Sequence, residues 1–285
     1  MLNNSKIGLI GLGNMGKPIF DNLTKNFYDI YYFDKDDTKL GFNNIKKTIK
    51  DIFKDCDVII FCIETNDQII DIIENNIVLD NTIFIDLTTS LPEKTQNIKS
   101  YLKKFNSHYI DAPMSGGASG AAKGTLTLMV GGDKKIFKKI EFILKTFSRN
   151  IFYLGKSGNG HMMKLLHNSV CHSIFLLNCE ILNIAKSFGI VDKDVIDVFN
   201  KSNAKSYISE SRFPNNILNG KFNGKSSIKN LKKDLKMINL ILKKSQSKKQ
   251  YTSISNQILK NIDPKFDNED FTRIYKMWNN INISK

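Results

Sequence analysis

Short apolar runs alternate with amphipathic stretches over the first 155 residues, and this alternation limits the fold more than any other feature. The apolar runs are four to six residues long and lie at 7–11, 30–34, 58–63, 82–86, 109–112, 125–130 and 151–154. Between them, apolar residues recur at helical spacing, as in Ile69, Ile70, Ile72, Ile73 and Ile77. Such repetition predicts a mostly parallel sheet with helices on both faces. We therefore predict a doubly wound α/β domain over residues 1–160.

The strand pattern stops at about residue 160, and helical patterns follow it. Apolar residues recur at helical spacing from Met162 to Ala185, which predicts one helix over about 160–189. Asp192 is the expected N-cap of the next helix, and Pro214 and Gly220 mark a break before further helices. We predict an all-helical domain over residues 161–285. The long helix has more apolar length than one small domain covers, so we expect a homodimer or homotetramer.

Composition narrows the class of protein. With 41% hydrophobic and 25% charged residues, the chain is an ordinary soluble folded protein. Its longest apolar run falls far short of the ~20 residues that a membrane-spanning helix needs. No basic segment precedes the first apolar run, so we expect no targeting segment and a cytoplasmic location.

The formal net charge of +14 points to anionic partners. The basic residues are mostly scattered lysines, which produce a diffuse field that attracts small anions. No basic stretch is interleaved with aromatic residues as stacking on bases requires, so we expect no nucleic-acid partner.

The cysteine and histidine pattern indicates neither disulfides nor a metal. No two of the four cysteines are arranged as Cys-x-x-Cys, which suits a reducing cytosol. No two of the four histidines are spaced i, i+4, as a zinc site on one helix face would require. We predict no metal site.

A glycine motif follows the first apolar run. Gly11, Gly13 and Gly16 form Gly-x-Gly-x-x-Gly, and residues 14–25 have the pattern of a helix. The N–H groups and positive dipole end of that helix would face a pyrophosphate. The motif predicts a Rossmann-type dinucleotide site, in which Asn14 and Met15 complete the loop. The alternative is a glycine turn that only packs.

An acidic residue at the end of the second run bears on the cofactor. Asp34 lies 23 positions after Gly11, about where a carboxylate accepts hydrogen bonds from the adenosine ribose. A carboxylate there repels a 2′-phosphate, although the neighbouring Lys35 would soften that effect. We predict NAD, with NADP less favoured. The alternative for Asp34 is a surface charge at a strand end.

Small residues end the fifth apolar run, in the segment 111–117. Ser115, Gly116 and Gly117 offer one hydroxyl and two unhindered N–H groups at the carboxyl edge of the predicted sheet. A concave set of donors of this kind suits a carboxylate. The alternative is a tight glycine turn. Further on, Lys164 lies in the long predicted helix, where the pattern alone favours a lysine that extends to solvent.

Four motifs together resemble the β-hydroxyacid dehydrogenase family. They lie in the family's order at 11–16, 111–117, 158–168 and 233–235, and they span nearly the whole chain. The family includes 3-hydroxyisobutyrate dehydrogenase, tartronate semialdehyde reductase and, in a longer form, 6-phosphogluconate dehydrogenase. The resemblance implies that Lys164 is catalytic, that Ser115, Gly116, Gly117 and Asn168 bind substrate, and that Thr89 and Lys233 contact the cofactor.

The resemblance also implies a reaction. Lys164 would take the proton of a C3 hydroxyl while hydride leaves that carbon for NAD, and it can do so only when neutral. Burial and the nicotinamide charge are expected to lower its pKa. The substrate would be a small 3-hydroxy acid or the matching semialdehyde, held between the two domains.

The chain departs from the family pattern at two places, and other functions remain open. Ile63-Glu64-Thr65 replaces the usual Leu-Pro, which weakens the expected contact to the adenosine half. His167 before Asn168 is typical of the 6-phosphogluconate branch, so an oxidative decarboxylase is the second interpretation; a buried histidine bound to a backbone carbonyl is the other explanation of His167. Two functions of other classes also remain open: a nucleic-acid-binding module on a dehydrogenase fold, and a cofactor sensor without turnover.

Overall fold

The computed structural model describes residues 5–27, 29–36, 47–244 and 250–281. The chain divides into two compact units, residues 1–164 and residues 165–285. The first unit contains a five-stranded parallel sheet in the order β2-β1-β3-β4-β5. Its strands are β1 (Ile7–Ile10), β2 (Ile30–Phe33), β3 (Val58–Phe61), β4 (Ile83–Asp86) and β5 (His108–Asp111).

Both faces of this sheet are covered. In β3, Val58 and Ile60 belong to one buried cluster, whereas Ile59 and Phe61 belong to another. A strand that is buried on both faces is continuously apolar rather than alternating, as β3 is. The helices of the sheet are α1 (Gly16–Thr24), α2 (Ile49–Asp55), α3 (Asn66–Glu74) and α4 (Pro92–Leu102), followed by a short 3₁₀ turn (Lys103–Phe105). The doubly wound, mostly parallel fold predicted from the sequence is confirmed.

Local signals fix several helix ends. Thr48 and Thr65 each cap a helix, α2 and α3, and each is part of a capping box with the residue three positions on. One expectation was wrong: α3 ends at Glu74, and Ile77 lies beyond it and is 83% exposed.

The last two predicted strands lie in a second sheet. It contains β6 (Met114–Ser115), β7 (Leu126–Val130) and β8 (Ser148–Tyr153), and β6 pairs with β7 antiparallel while β7 pairs with β8 parallel. Helices α5 (Gly117–Ala122) and α6 (Lys134–Leu144) connect these strands. Only two residues separate β5 from β6, too few for a crossover helix, so the chain turns into a new sheet here.

Helix α7 (Asn159–Ser187) begins in the first unit and continues through the second. The long helix expected over about 160–189 is therefore present. The second unit also contains α8 (Asp192–Asn200), a π-helix (Ile208–Leu218), α9 (Ile228–Lys244), α10 (Tyr251–Lys260) and α11 (Ile274–Met277), with 3₁₀ turns at Pro264–Phe266, Phe271–Arg273 and Trp278–Asn280. Its core includes Phe175, whose ring centroid lies 5.0 Å from that of Phe271 and 6.1 Å from that of Phe213.

Two local expectations for the second unit were wrong. Asp192 is the first residue of α8 rather than its cap, and its carboxylate accepts a hydrogen bond from the Tyr275 hydroxyl. Pro214 lies inside the π-helix rather than in a break, whereas Gly220 does lie in the break after it. Proline lacks the N–H that an α-helical ladder needs, and the wider π turn replaces that ladder here. Over the described ranges, none of the helices has the length and apolarity to cross a bilayer.

Candidate active site

The three loop glycines each meet a different constraint. Gly11 has φ +102°, and a Cβ there would lie 2.4 Å from the Cys62 carbonyl oxygen. A Cβ on Gly16 would lie 1.9 Å from the Gly11 carbonyl oxygen, because α1 packs directly on the loop. A Cβ on Gly13 would meet nothing within 4 Å. The first and third glycines thus shape the loop, and the second leaves its backbone open to a ligand, as a dinucleotide pyrophosphate requires.

The start of α1 suits the same ligand. Met15, the N-cap residue, is half-buried and makes no side-chain capping bond, and the preceding Asn14 is exposed. No capping side chain therefore takes the first N–H groups of the helix, which carry the positive end of its dipole.

Asp34 ties the glycine loop to the end of β2. Its side chain is buried, and Oδ2 accepts from the backbone N–H of Leu12 (2.6 Å) while Oδ1 accepts from that of Asp36 (2.9 Å). The side chain lies beside the loop and is buried, so it is not a surface charge at a strand end, while its role as a ribose acceptor stays a prediction. The bond to Leu12 is a second role that the sequence did not reveal.

Asp86, the last residue of β4, holds several segments at the carboxyl end of that strand. It is completely buried, and its carboxylate accepts from the Thr88 N–H (2.8 Å), the Asn66 Nδ2 (2.8 Å) and the Tyr109 hydroxyl (2.6 Å). Burial, together with the charge of Asp86, raises the pKa of Tyr109 well above its usual value, so the hydroxyl stays a donor. The turn that carries Thr89, which is half-buried, is therefore fixed at Thr88.

Asp111 holds the start of α7. Its Oδ1 accepts from the N–H of Gly158 (2.9 Å) and its Oδ2 from the N–H of His161 (3.1 Å). A Cβ on Gly160 would lie 2.2 Å from the Met129 carbonyl oxygen, so the helix start packs on β7 without space for a side chain. Lys164 follows four residues after Gly160 and is half-buried.

The predicted carboxylate-binding residues form an open turn. Ser115 pairs with Thr127 in the second sheet, and Gly116 (φ +124°) and Gly117 (φ +62°) follow it on the surface. A Cβ on Gly117 would meet nothing within 4 Å. Both glycines adopt φ values that favour glycine, and both are exposed.

In the second unit, Asn168 is oriented by an acid that sequence reasoning missed. Its Nδ2 donates to Asp234 Oδ2 (2.7 Å), and its Oδ1 lies 3.0 Å from Nδ1 of His167. Asp234 directly follows Lys233, whose half-buried Nζ lies 3.9 Å from the other carboxylate oxygen. The only sequence signal for Asp234 was its place in the Lys-Asp-Leu motif at 233–235. His167 is half-buried, and its Nδ1 contacts this amide.

Two of the four cysteines are held as unreactive thiols. Burial raises the pKa of the Cys56 and Cys62 thiols to about 12, which leaves both protonated at neutral pH. Within the described part of the chain, no three metal-ligating side chains cluster. The absence of a metal and a cytoplasmic location both stay predictions.

Two family models match almost the whole chain. One, described as the NAD binding domain of 6-phosphogluconate dehydrogenase, matches residues 6–155, which is more than half of the chain. The other, described as NAD-binding of NADP-dependent 3-hydroxyisobutyrate dehydrogenase, matches residues 158–278. The chain belongs to the β-hydroxyacid dehydrogenase family. The resemblance inferred from the four motifs is thereby confirmed.

This chain is similar to known dehydrogenases of hydroxy acids over most of their length. The chain is 27% identical to 2-(hydroxymethyl)glutarate dehydrogenase of Eubacterium barkeri, over 98% of this chain and 96% of that protein. It is 30% identical to a probable mitochondrial 3-hydroxyisobutyrate dehydrogenase of Dictyostelium discoideum, over 73% and 68%. The solved 3-hydroxyisobutyrate dehydrogenase of Mycobacterium tuberculosis superposes with a TM-score of 0.86 at 22% identity, over 96% and 99%. The chain is an NAD(P)-dependent oxidoreductase that acts on a hydroxyacid.

Proposed function

We propose that the chain transfers hydride between NAD and the C3 hydroxyl of a small 3-hydroxy acid, or reduces the matching semialdehyde, with Lys164 as general acid and base. The observation that carries this proposal is the anchoring of α7 on Asp111. Asp111 ends β5, so the helix of Lys164 starts at the carboxyl edge of the sheet. Open α/β sheets bind their ligands at that edge.

The residues of the glycine loop fit a dinucleotide. Gly13 and the start of α1 would hold the pyrophosphate, and Asp34 would accept from the adenosine ribose hydroxyls. Thr89 and Lys233 would contact the nicotinamide half. When bound, the dinucleotide supplies the hydride acceptor for oxidation and the hydride donor for reduction.

The chain's own side chains handle the proton and the carboxylate. Neutral Lys164 takes the hydroxyl proton at Nζ during oxidation, and its ammonium form returns that proton to the aldehyde oxygen during reduction. Ser115 and the N–H groups of Gly116 and Gly117 hold the substrate carboxylate. The Asn168 amide donates to Asp234 with one N–H and retains a second for the substrate.

The names of two relatives narrow the substrate class. 3-Hydroxyisobutyrate and 2-(hydroxymethyl)glutarate both carry a primary alcohol on the carbon β to a carboxylate. We therefore expect turnover of acids of that type, or of their semialdehydes. Steady-state assays of a panel of such acids and semialdehydes, each with NAD and NADP, test this. Turnover of 6-phosphogluconate alone, with release of CO₂, would instead establish the oxidative decarboxylase.

Asp34 is expected to set the cofactor preference. Asp34→Ser should lower kcat/KM with NAD by about 10- to 100-fold, since it removes hydrogen bonds to the ribose, and should raise it with NADP by removing repulsion of the 2′-phosphate. Initial rates with both cofactors measure the change. Asp29→Ser, an exposed carboxylate at the other end of β2, should change neither. An unchanged NAD/NADP ratio in Asp34→Ser would refute the assignment.

A further prediction concerns assembly. Along α7 and the residue just after it, five exposed apolar residues recur at spacings of four and seven: Leu166, Val170, Leu177 and Ile184 in the helix, and Phe188 beyond its end. We propose that a neighbouring copy covers this stripe in a homodimer or homotetramer. The double variant Val170→Lys/Leu177→Lys should be a monomer by light scattering. Val198→Lys, an equally exposed site on α8, is the control and should assemble normally. A monomeric wild type would contradict the proposal.

A further inference from the structure

We propose that Asp86 is a positioning residue that links the Thr88–Thr89 turn to the start of the helix carrying Lys164, and that His161 is its partner in that helix. The inference rests on the proposed function, because it concerns how the base and the cofactor-side turn are held. All the groups involved lie in the first unit.

The surroundings of Asp86 suit a carboxylate that holds several segments together. Thr88 N–H donates to Oδ1, and Asn66 and Tyr109 both donate to Oδ2. These donors come from the turn after β4, from α3 and from β5. A completely buried carboxylate is costly unless hydrogen bonds and charge compensate it. The cost is met here by contacts that also fix the surrounding backbone.

His161 is the remaining group at this carboxylate. Its side chain is completely buried, with Nε2 3.5 Å from Asp86 Oδ2 and Nδ1 2.6 Å from the Thr95 hydroxyl oxygen of α4. Among the described residues, Nε2 makes no hydrogen bond. With the Thr95 hydroxyl as the donor to Nδ1, the ring proton lies on Nε2, and the Asp86 carboxylate is the acceptor that this N–H faces. The imidazole therefore spans from α4 to Asp86.

The contact between His161 and Asp86 opposes a rotation of α7 that the hydrogen bonds to Asp111 do not oppose. Asp111 and the packing of Gly160 on β7 both act through the backbone at the start of α7, so neither holds a side chain against rotation of the helix about its axis. A side chain held on two sides opposes that rotation. Lys164 lies three residues after His161, on the same side of the helix, so the orientation of one determines that of the other. Asp86 thereby holds the cofactor-side turn through Thr88 and the base through His161.

A comparison of two substitutions at His161 tests this role. His161→Gln keeps an N–H donor toward Asp86, whereas His161→Met fills a similar volume without one. We expect His161→Met to lower kcat by on the order of 10- to 100-fold, as small misplacements of catalytic groups do, with NADH affinity within about twofold of wild type. His161→Gln should recover most of the loss. His108→Met, at the opposite end of the sheet, is the matched control and should keep wild-type kcat.

Asp86→Asn should differ from the His161 variants in one measurable respect. Because Asp86 also holds Thr88, this variant should lower kcat and weaken NADH binding, measured by fluorescence titration, by about tenfold. If Asp86→Asn does not fold, the two His161 variants carry the test. Wild-type kcat in folded His161→Met, or equal losses in the Gln and Met variants, would overturn the proposal.

A second readout separates this inference from the proposed function. Hydrogen exchange of the amides at 161–164 should be faster in His161→Met than in His161→Gln or His108→Met, whether or not a substrate is known. If the wild type turns over no acid of the panel, the proposed function fails while this measurement still decides the positioning role. Equal exchange in the Met and Gln variants would show that His161 does not hold the helix.

Discussion

Replacing Lys164 by alanine should lower kcat by about 10²- to 10⁴-fold, the range that a positioned general acid or base contributes. Dinucleotide binding should remain within about twofold of wild type, because the glycine loop and Asp34 are untouched. Activity is lost because the hydroxyl proton must leave as hydride departs. In the proposed mechanism, Lys164 is the group that accepts this proton. Stopped-flow measurement of hydride transfer, with NADH titration alongside, separates the two quantities.

Three controls make the Lys164 result specific. Lys164→Arg keeps the charge but cannot deprotonate, so it should be nearly as inactive as the alanine variant. Lys134→Ala, an exposed lysine of α6, should be fully active. Added primary alkylamines should partly restore Lys164→Ala. Full activity in Lys164→Ala would remove the lysine from the mechanism.

The pH dependence has a defined sign. Oxidation needs the neutral amine, so its rate should rise with pH as Lys164 loses its proton. Reduction needs the ammonium form, so its rate should fall over the same range. Both dependences should disappear in Lys164→Ala, and a pH profile that is unchanged by the substitution would assign the titration to another group.

The fold was predictable where the information is local. Each of the seven apolar runs became a strand, because a short apolar run between helical patterns has few other ways to be buried. The division into two sheets was not predictable, since strand pairing depends on partners distant in sequence. Ile77 shows the same limit on a smaller scale: its spacing continues the apolar pattern of α3, but the helix ends at Glu74.

The features of the candidate site were likewise predictable only where they are local in sequence. The glycine spacing and Asp34 are local features, and the structure brings them together as expected. The contacts of Asp111 with Gly158, of Asp86 with His161 and of Asn168 with Asp234 join residues that are 47, 75 and 66 positions apart. A single sequence identifies such residues one at a time, but not that they meet.

Gly13→Ala and Gly16→Ala should have opposite effects on stability although they lie three positions apart. A methyl group on Gly13 enters open space, so the melting temperature should stay at or slightly above that of wild type, since alanine restricts the unfolded chain by about 0.4–1 kcal/mol. A methyl group on Gly16 would lie 1.9 Å from a backbone oxygen that cannot rotate away. Overpacking of that kind costs about 1–3 kcal/mol or more.

Both glycine variants should nevertheless lose cofactor affinity, and for different reasons. In Gly13→Ala the methyl group occupies the space through which the backbone approaches the pyrophosphate, so NADH affinity should fall by about 10- to 100-fold in a fully stable protein. In Gly16→Ala the fall should accompany a lower melting temperature, because α1 and its N–H groups are displaced. Thermal unfolding and NADH titration of the two variants together distinguish a lost ligand contact from a distorted loop. If Gly13→Ala bound NADH as tightly as wild type, the open space at Gly13 would not be where the dinucleotide approaches the chain.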